Sequence, residues 1–526
     1  MKSEDIKKLP AARALLFSLG LDEDEIERPI IAVVNSFNEI VPGHIHLNEI
    51  VKHIKYGVRE AGGTPLEFPT IGVCDGIAMG HDGMKYSLPS REMIADMIED
   101  MVLAHGIFDG IVFVAACDKN VPGHLMAAAR LDMPSIFITA GPMLPGSYKG
   151  RLLDVKDAFA ADGQYAKGVL TKEEYDGIIK NCCPGPGSCA GLFTANSMAC
   201  VTEALGLSLP GCATAHALDD KKKEIATATG KRILGLVKEG TSTKNILNET
   251  AFENAFAVDM AIGGSTNTVL HIPAIAKEVG YEFDLDRIND ISRRTPNIVK
   301  ISPSSDFRMI DFDKAGGIPA VISQLKKKGI VVDTLTVHGT SWPEAEILDT
   351  NIIKPIEEPY SNTGGIAILR GSLAPAGSVI KESGVAGDVP DPFEGTARVF
   401  ESEEEATDFI KNEKLEKGLV IVIRYEGPAG GPGMREMLYP TSAITGLGKD
   451  KEIALITDGR FSGATKGICI GHIEPEAYFG GPIAFVKDKD KVKIDLKNRR
   501  LDLIVDDKEM EERRKAWKPL EKEIPK

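Results

Sequence analysis

Three cysteines in glycine-rich settings are the residues of this chain best suited to chemistry. They stand in VCDGIAMGHDGM (Cys74), ACDKNVPGH (Cys117) and CCPGPGSCAGLFTANSM (Cys189). Two are followed at once by an aspartate, as Cys74-Asp75 and Cys117-Asp118. A soft thiolate beside a hard carboxylate has no evident use in a plain core. The pair suits a place where an iron–sulfur cluster and a hard divalent cation lie side by side, because thiolates select the one and carboxylates the other.

The remaining cysteines narrow the choice. All eight lie at 74, 117, 182, 183, 189, 200, 212 and 469. No two are spaced as CxxC, so the usual zinc-ribbon signature is missing, and so long a chain is no disulfide framework. Cys200, Cys212 and Cys469 read as small buried hydrophobes. A reducing, cytoplasmic compartment is expected.

Residues with this chemistry must be delivered by rigid elements. PIIAVVNS (29–36), LEFPTIGV (66–73), IVFVAA (111–116) and SIFITAG (135–141) are apolar runs of strand length. Leu47, Ile50, Val51, Ile54 and Val58 repeat with helical period between the first two. Ser90 is placed to cap a helix carrying Met93, Ile94, Met97, Ile98, Met101 and Val102, and the methionines are expected in its core face. Alternating strands and helices of this kind predict a parallel sheet with both faces covered. Ligands in such sheets bind beyond the carboxyl ends of the strands, where this reading puts Asn35, Cys74 and Cys117. Pro184, Gly185, Pro186 and Gly187 forbid a regular element, so Cys182, Cys183 and Cys189 belong to a shaped loop.

The last third is richer in β runs: 364–371, 396–400, 419–425, 452–459, 482–488, and two more near the end. Two glycine-rich segments, YEGPAGGPGMREM (425–437) and ITDGRFSGATKG (456–467), each follow an apolar run. The stretch 341–362 reads as the connection between domains, and the charged residues 506–526 as a solvated helical tail. The fold class expected is α/β: an N-terminal parallel-sheet domain over 1–345 and a C-terminal β-rich domain over 346–526.

Composition excludes several functions. With 526 residues, 43% hydrophobic and 26% charged, the chain has an ordinary globular balance. A net charge of −15 is the wrong sign for nucleic acid or an anionic membrane surface. The N-terminal MKSEDIKK has no apolar stretch of the kind found in a secretion signal, and no run reaches the ~18 apolar residues of a membrane span.

In order and at ordinary spacing, TIGVCDGIAMGHDGMKYSLPSRE, CDKNVPGHLMA, CPGPGSCAGLFTANSM, GGSTNTVLH, GPAGGPGMREML and TDGRFSGATKG resemble the motifs of the dihydroxy-acid, phosphogluconate and sugar-acid dehydratases, dihydroxy-acid dehydratases above all. The resemblance runs from about Pro29 to Val505. It implies a swivelling β/β/α C-terminal domain and a homodimer or dimer of dimers. It implies that Cys117 and Cys189 hold an iron–sulfur cluster, that Asp75, Asp118 and Glu436 bind Mg²⁺, that Lys119 carries a carbamate, and that Ser462 is the catalytic base. Carbamylation removes a charge conflict, since a plain ammonium among Mg²⁺ ligands would repel the ion. Ser462 could equally cap a helix after its glycine-rich turn. Relatives with a two-iron cluster have a third cysteine where this chain has Gly43, so the branch with an oxygen-sensitive four-iron cluster is favoured and a two-iron cluster is the alternative. Cys74, Cys182 and Cys183 are candidates for a third thiolate, Cys74 foremost because it adjoins Asp75.

The activity so implied is dehydration of a small 2,3-dihydroxy acid, 2,3-dihydroxy-3-methylbutanoate or 2,3-dihydroxy-3-methylpentanoate, to a 2-keto acid in valine and isoleucine synthesis. A gluconate-type sugar-acid dehydratase would use the same parts. An iron–sulfur sensor would not need the three carboxylates, Lys119 or Ser462.

Overall fold

The computed structural model describes residues 3–518 and residue 520. Four apolar runs form one parallel sheet: β1 (Ile30–Asn35), β2 (Thr64–Pro69), β3 (Gly110–Ala115) and β4 (Ser135–Thr139), in the order β2-β1-β3-β4. Every residue of β1, β3 and β4 is buried, as expected of strands covered on both faces. Asn35 is in register with both Pro69 and Val114, so β1, β2 and β3 end together at one edge.

Helices Leu47–Glu60 and Asp220–Glu239 lie against this sheet as a pair. Their axes come close because glycines face backbone. A methyl on Gly57 would stand 2.1 Å from the Thr227 carbonyl oxygen, and one on Gly230 2.2 Å from that of Ile54.

The second domain contributes β5 (Ala367–Leu369), β6 (Gly377–Ile380), β7 (Phe393–Phe400), β8 (Leu419–Ile423), β9 (Glu436–Met437), β10 (Ala454–Thr457), β11 (Arg460–Phe461), β12 (Ile468–Glu474), β13 (Lys491–Asp495) and β14 (Arg500–Ile504). Eight of them form a sheet in the order β14-β13-β7-β8-β10-β12-β6-β5, while β9 and β11 pair separately. The central strands β7, β8, β10 and β12 are parallel and the flanking ones antiparallel. A bridge between Arg370 and Arg500 joins the two edges, so the sheet is nearly closed into a barrel and its edge groups are satisfied. Period-2 alternation is plain on β8: Val420 and Val422 face one apolar core, Ile421 and Ile423 another. The core of the first domain reaches across to Ile366, Ile368 and Val379, so the two domains share apolar packing.

Several elements differ from expectation. The strand ends at Pro69, and residues 70–74 have no regular structure; Asn120 instead braces them by donating to the Ile71 carbonyl at 2.9 Å. The helix begins at Ser87, so Ser90 lies within its first turn and its hydroxyl bonds back to the Ser87 carbonyl. Met93 is 55% exposed, on the outer face of that helix. Residues 482–485 form a 3₁₀ turn and not a strand: Gly480 at positive φ and Pro482 at the first helical position start it. The C-terminal helix Asp507–Ala516 is docked, not free in solvent, because buried Arg513 donates to the Phe485 carbonyl at 2.9 Å and reaches Asp490. The end of the expected tail, 519 and 521–526, lies outside the described residues. Among the described residues no helix is long and apolar enough to cross a membrane.

Candidate active site

Cys117 follows β3 by two residues and adopts φ 66°, a left-handed turn rare outside glycine. That turn ends the strand and opens the helix Asn120–Leu131, with Asp118 and Lys119 between them. The Asn120 side chain accepts from the Ala116 N–H at 3.0 Å while donating to Ile71, so one residue ties the Cys74 loop to the Cys117 turn. The loop before Cys189 is pinned by Asn196, whose amide donates to the Cys189 and Gly191 carbonyls, the latter at 2.7 Å. The Gly187 N–H donates to the Pro42 carbonyl at 3.1 Å, which brings the 41–44 turn against this loop. A methyl on Gly43 would lie 2.7 Å from Cys117 Sγ, so residue 43 lines the thiol's surroundings.

The thiols act on one another. Burial raises Cys117 well above the ordinary thiol value, and Cys74, Asp118 and Cys189 raise it further. Burial likewise raises Cys189, followed by Asp118 and Cys74. Cys74 is raised by burial, with Asp118 and Asp75 adding to it. Cys182 is elsewhere, packed with Leu153, Ala161 and Ile178, its thiol 3.8 Å from that of exposed Cys183.

Beside the thiols, carboxylates from both domains converge on one ammonium. Lys119 is 1% exposed; its Nζ donates to Asp75 Oδ2 in a short contact and to Glu436 Oε2 at 3.0 Å. Asp75 also accepts from Ser87 Oγ at 2.6 Å. Burial pulls the Lys119 pKa down, but Asp75 and Glu436 outweigh it and the net shift is upward. Asp118, whose carboxylate accepts the Ala195 N–H at a helix start, is pushed up to about 7 by burial and then by Asp75.

The C-terminal domain supplies its share through the β9–β11 pair, which puts Glu436 in register with Arg460. The Ser462 N–H donates to the Met437 carbonyl at 2.9 Å, extending that pairing. Arg460, fully buried, donates to Glu436 Oε2 at 3.1 Å and to Asn267 Oδ1 at 2.9 Å. Asn267 continues to Thr194 Oγ1 at 3.0 Å, and Thr194 to Ser265 at 2.9 Å. A continuous polar network thus runs from Ser87 through both domains to the helix after the Cys189 loop. No helix follows Ser462, which excludes the helix-cap role; its Oγ accepts a long 3.4 Å bond from the Ala464 N–H within a turn.

The structure therefore gathers Asp75, Lys119 and Glu436 in direct contact, with Asp118 and the Cys74, Cys117 and Cys189 thiols close enough to act on their charges. Among the described residues no three His, Cys, Asp or Glu side chains are placed to hold a metal ion unaided, since Lys119 stands at the point where Asp75 and Glu436 meet. Asn35 belongs to a separate cluster with Asn48 and Glu67. His44 and His46 are buried and bonded to the Ser36 and Ala140 carbonyls. The sequence reading gives no role to Arg460, Asn267 or Ser87, although all three lie inside segments it singles out, RFSGAT, GGSTNT and TIGVCDGIAMGHDGMKYSLPSRE.

Comparison with known proteins bears on the whole chain. Residues 28–345 match the model of the dihydroxy-acid/6-phosphogluconate dehydratase N-terminal region, and residues 351–526 that of its C-terminal region. A curated relative from Pyrococcus abyssi, named dihydroxy-acid dehydratase, is 53% identical over 532 residues, covering 100% of this chain and 96% of the relative. Relatives of the same name from Caldanaerobacter subterraneus subsp. tengcongensis and Methanococcoides burtonii are 53% and 51% identical, each covering 96% of its own length and 100% and 99% of this chain.

Proposed function

Because this chain belongs to the dihydroxy-acid/6-phosphogluconate dehydratase family, we propose that it is a hydro-lyase acting on 2,3-dihydroxy-3-methylbutanoate and 2,3-dihydroxy-3-methylpentanoate in valine and isoleucine synthesis. The observation that carries this reading is the convergence of Asp75, Lys119 and Glu436 from two domains, beside Ser462 and three thiols.

The residues fit the cofactors that such chemistry calls for. Asp75 and Glu436 meeting at one point, with Asp118 and three thiols in the same field, make a donor set of hard oxygens and soft sulfurs suited to cations. Asp75, Asp118, Glu436 and a carbamylated Lys119 would hold Mg²⁺, and Cys117 and Cys189 with Cys74 would hold the iron–sulfur cluster, a four-iron one by the glycine at position 43. When bound there, these groups supply Lewis acidity for the substrate carboxylate and C2 oxygen and for departure of the C3 hydroxyl. Converting the Lys119 ammonium to a carbamate adds an anionic oxygen ligand at the point where the carboxylates meet. Ser462 takes the C2 proton; the Ala464 N–H favours its oxyanion. Loss of that proton and of C3 hydroxide leaves an enol, which tautomerises to the 2-keto acid without net redox change. Arg460 and Asn267 hold Glu436 in place and close the site from behind.

An interdomain cavity of about 620 Å³ borders the Ser462 turn at Ala464 and Lys466, and none of Asp75, Asp118, Lys119, Glu436, Ser462 or the three cysteines lines it. Its wall carries Arg151, Lys156, Arg308 and Lys466 against Asp157 and Asp306. Each of these cations is ion-paired, Arg151 with Asp157, Lys156 and Arg308 with Asp154, and Lys466 with Asp450, so the wall is polar and near charge balance.

We place the domain boundary at 345/346, supported by the gap between the two matched segments and by the irregular 341–362 stretch. Eight free thiols support a reducing cytoplasmic location. Exposed Ile77, Tyr86 and Met93 in one stretch of chain support assembly into a homodimer or a dimer of dimers.

Side-by-side assay of 2,3-dihydroxy-3-methylbutanoate and gluconate on anaerobically purified protein tests the reading. Preferred turnover of the branched-chain acid is expected; preference for gluconate would move the chain to the sugar-acid branch.

A further inference from the structure

Lys381 is a buried basic side chain that makes no direct ion pair. It follows β6 and is 5% exposed, yet among the described residues no carboxylate lies within ion-pair distance of it. Its Nζ donates instead to two backbone carbonyls at 3.2 Å each, that of Leu192 and that of Gly463. Burial pulls the Lys381 pKa down to about 7 against the opposing field of Asp259, so keeping a charge here costs stability that a methionine of similar length would avoid. Its contacts then point to a role other than stability.

The two carbonyls say what that is. Leu192 belongs to the N-terminal domain, three residues after Cys189 and two before the helix start that receives Asp118. Gly463 belongs to the C-terminal domain and immediately follows Ser462. The same junction is tight on its other side: a methyl on Gly463 would lie 2.7 Å from Ser265 Oγ and 2.9 Å from the Thr194 nitrogen. Thus the Ser462 turn is pressed against the GGST segment and the Thr194 helix, and Lys381 ties it to the Cys189 loop. Asp259, buried and with one carboxyl oxygen unpartnered, lends a favourable field without touching the ammonium.

We propose that Lys381 is a positioning residue that clamps the Ser462 turn of one domain to the Cys189 loop of the other, so that serine and cysteines keep a fixed separation. The proposal rests on the reading of Ser462 as the base. It predicts that Lys381→Met retains full iron and sulfide and a Tm within a few degrees of wild type, yet loses at least 30-fold in kcat with KM changed by less than threefold. Hydrogen exchange of the holoenzyme should show protection lost together at 189–193 and 461–466. A residue that only packs would leave kcat per folded molecule and both segments unchanged, and that result overturns the proposal. Lys381→Gln, which keeps one donor group but not the reach, carries the same test should the methionine variant fail to fold. If wild type turns over no dihydroxy acid, the functional reading fails, and the exchange measurement still decides the clamp: unchanged protection in either variant removes it.

Discussion

At the scale of single residues, Ser462 and Gly43 make the sharpest claims. Ser462 is held by the β9–β11 pairing and not by a helix, and its hydroxyl has one long backbone donor. Its proposed role as proton acceptor predicts that Ser462→Ala keeps both metal centres and loses ~10²–10⁴-fold in turnover, the usual worth of a general base. Turnover within threefold of wild type, with both centres confirmed loaded, would place the base elsewhere. Gly43 is needed for a different reason. An alanine methyl there would stand 2.7 Å from Cys117 Sγ, closer than carbon and sulfur can sit, so the thiol must move. Gly43→Ala should therefore purify with less iron and sulfide than wild type and lose them faster in air. Cluster content and oxygen half-life equal to wild type would show that the Cys117 turn yields without consequence.

At the scale of elements, the paired helices Leu47–Glu60 and Asp220–Glu239 set a limit on the first domain. In an exposed helix, alanine for glycine gains about 1 kcal/mol of helix propensity. At Gly230 the new methyl would meet the Ile54 carbonyl at 2.2 Å, and backbone cannot step aside as a side chain can. Overpacking of this kind costs ~1–3 kcal/mol, so it outweighs the propensity gain. Gly230→Ala should lower the unfolding midpoint without changing the chemistry of the metal centres; a raised midpoint would mean that the helices separate freely.

Elements also show what a sequence can disclose. β1, β3 and β4 are continuous apolar runs, and their types and limits follow from that pattern to within a residue or two. Residues 66–73 have the same apolar look, but the strand stops at Pro69 because the following residues are bonded by Asn120, a partner far along the chain. Residues 482–485 are apolar and still turn, since glycines before Pro482 favour a 3₁₀ start. The ligand-type residues were legible because cysteine, aspartate and glycine recur in fixed local settings. Arg460, Asn267 and Lys381 were not. Each acts through a partner that only the closed domain interface supplies; Arg460 and Asn267 stand in singled-out segments that do not disclose that partner, and Lys381 stands in none.

At the scale of the whole molecule, two buried lysines span the same interface with opposite energetics. Lys119 joins Asp75 of one domain to Glu436 of the other, and its charge is compensated. Lys381 joins Leu192 to Gly463, and its charge is not. In the metal-free, CO₂-free protein the Lys119 ammonium bridges the Asp75 and Glu436 carboxylates, with Arg460 as a second cation on Glu436 and Asp118 in the same field. Lys119→Met should then destabilise that form by ~3–5 kcal/mol, the usual consequence of stripping one partner from a buried pair, whereas Lys381→Met, which removes a buried charge but leaves the Leu192 and Gly463 carbonyls without their donor, should destabilise far less. The pH dependence follows from Asp118, which already sits at about 7 with Lys119 present. Its folded pKa is raised, so its contribution to stability is full at acid pH and is lost as pH rises through that value. Removing Lys119 takes away an opposing charge and strengthens this trend. The deficit of Lys119→Met should be largest near pH 8 and shrink toward pH 5, where the carboxyls take up protons in place of the lost ammonium. Urea denaturation of both lysine variants across that range is the check. A Lys119→Met deficit that is absent, or that grows toward acid pH, would mean that the carboxylates are not held together by this charge.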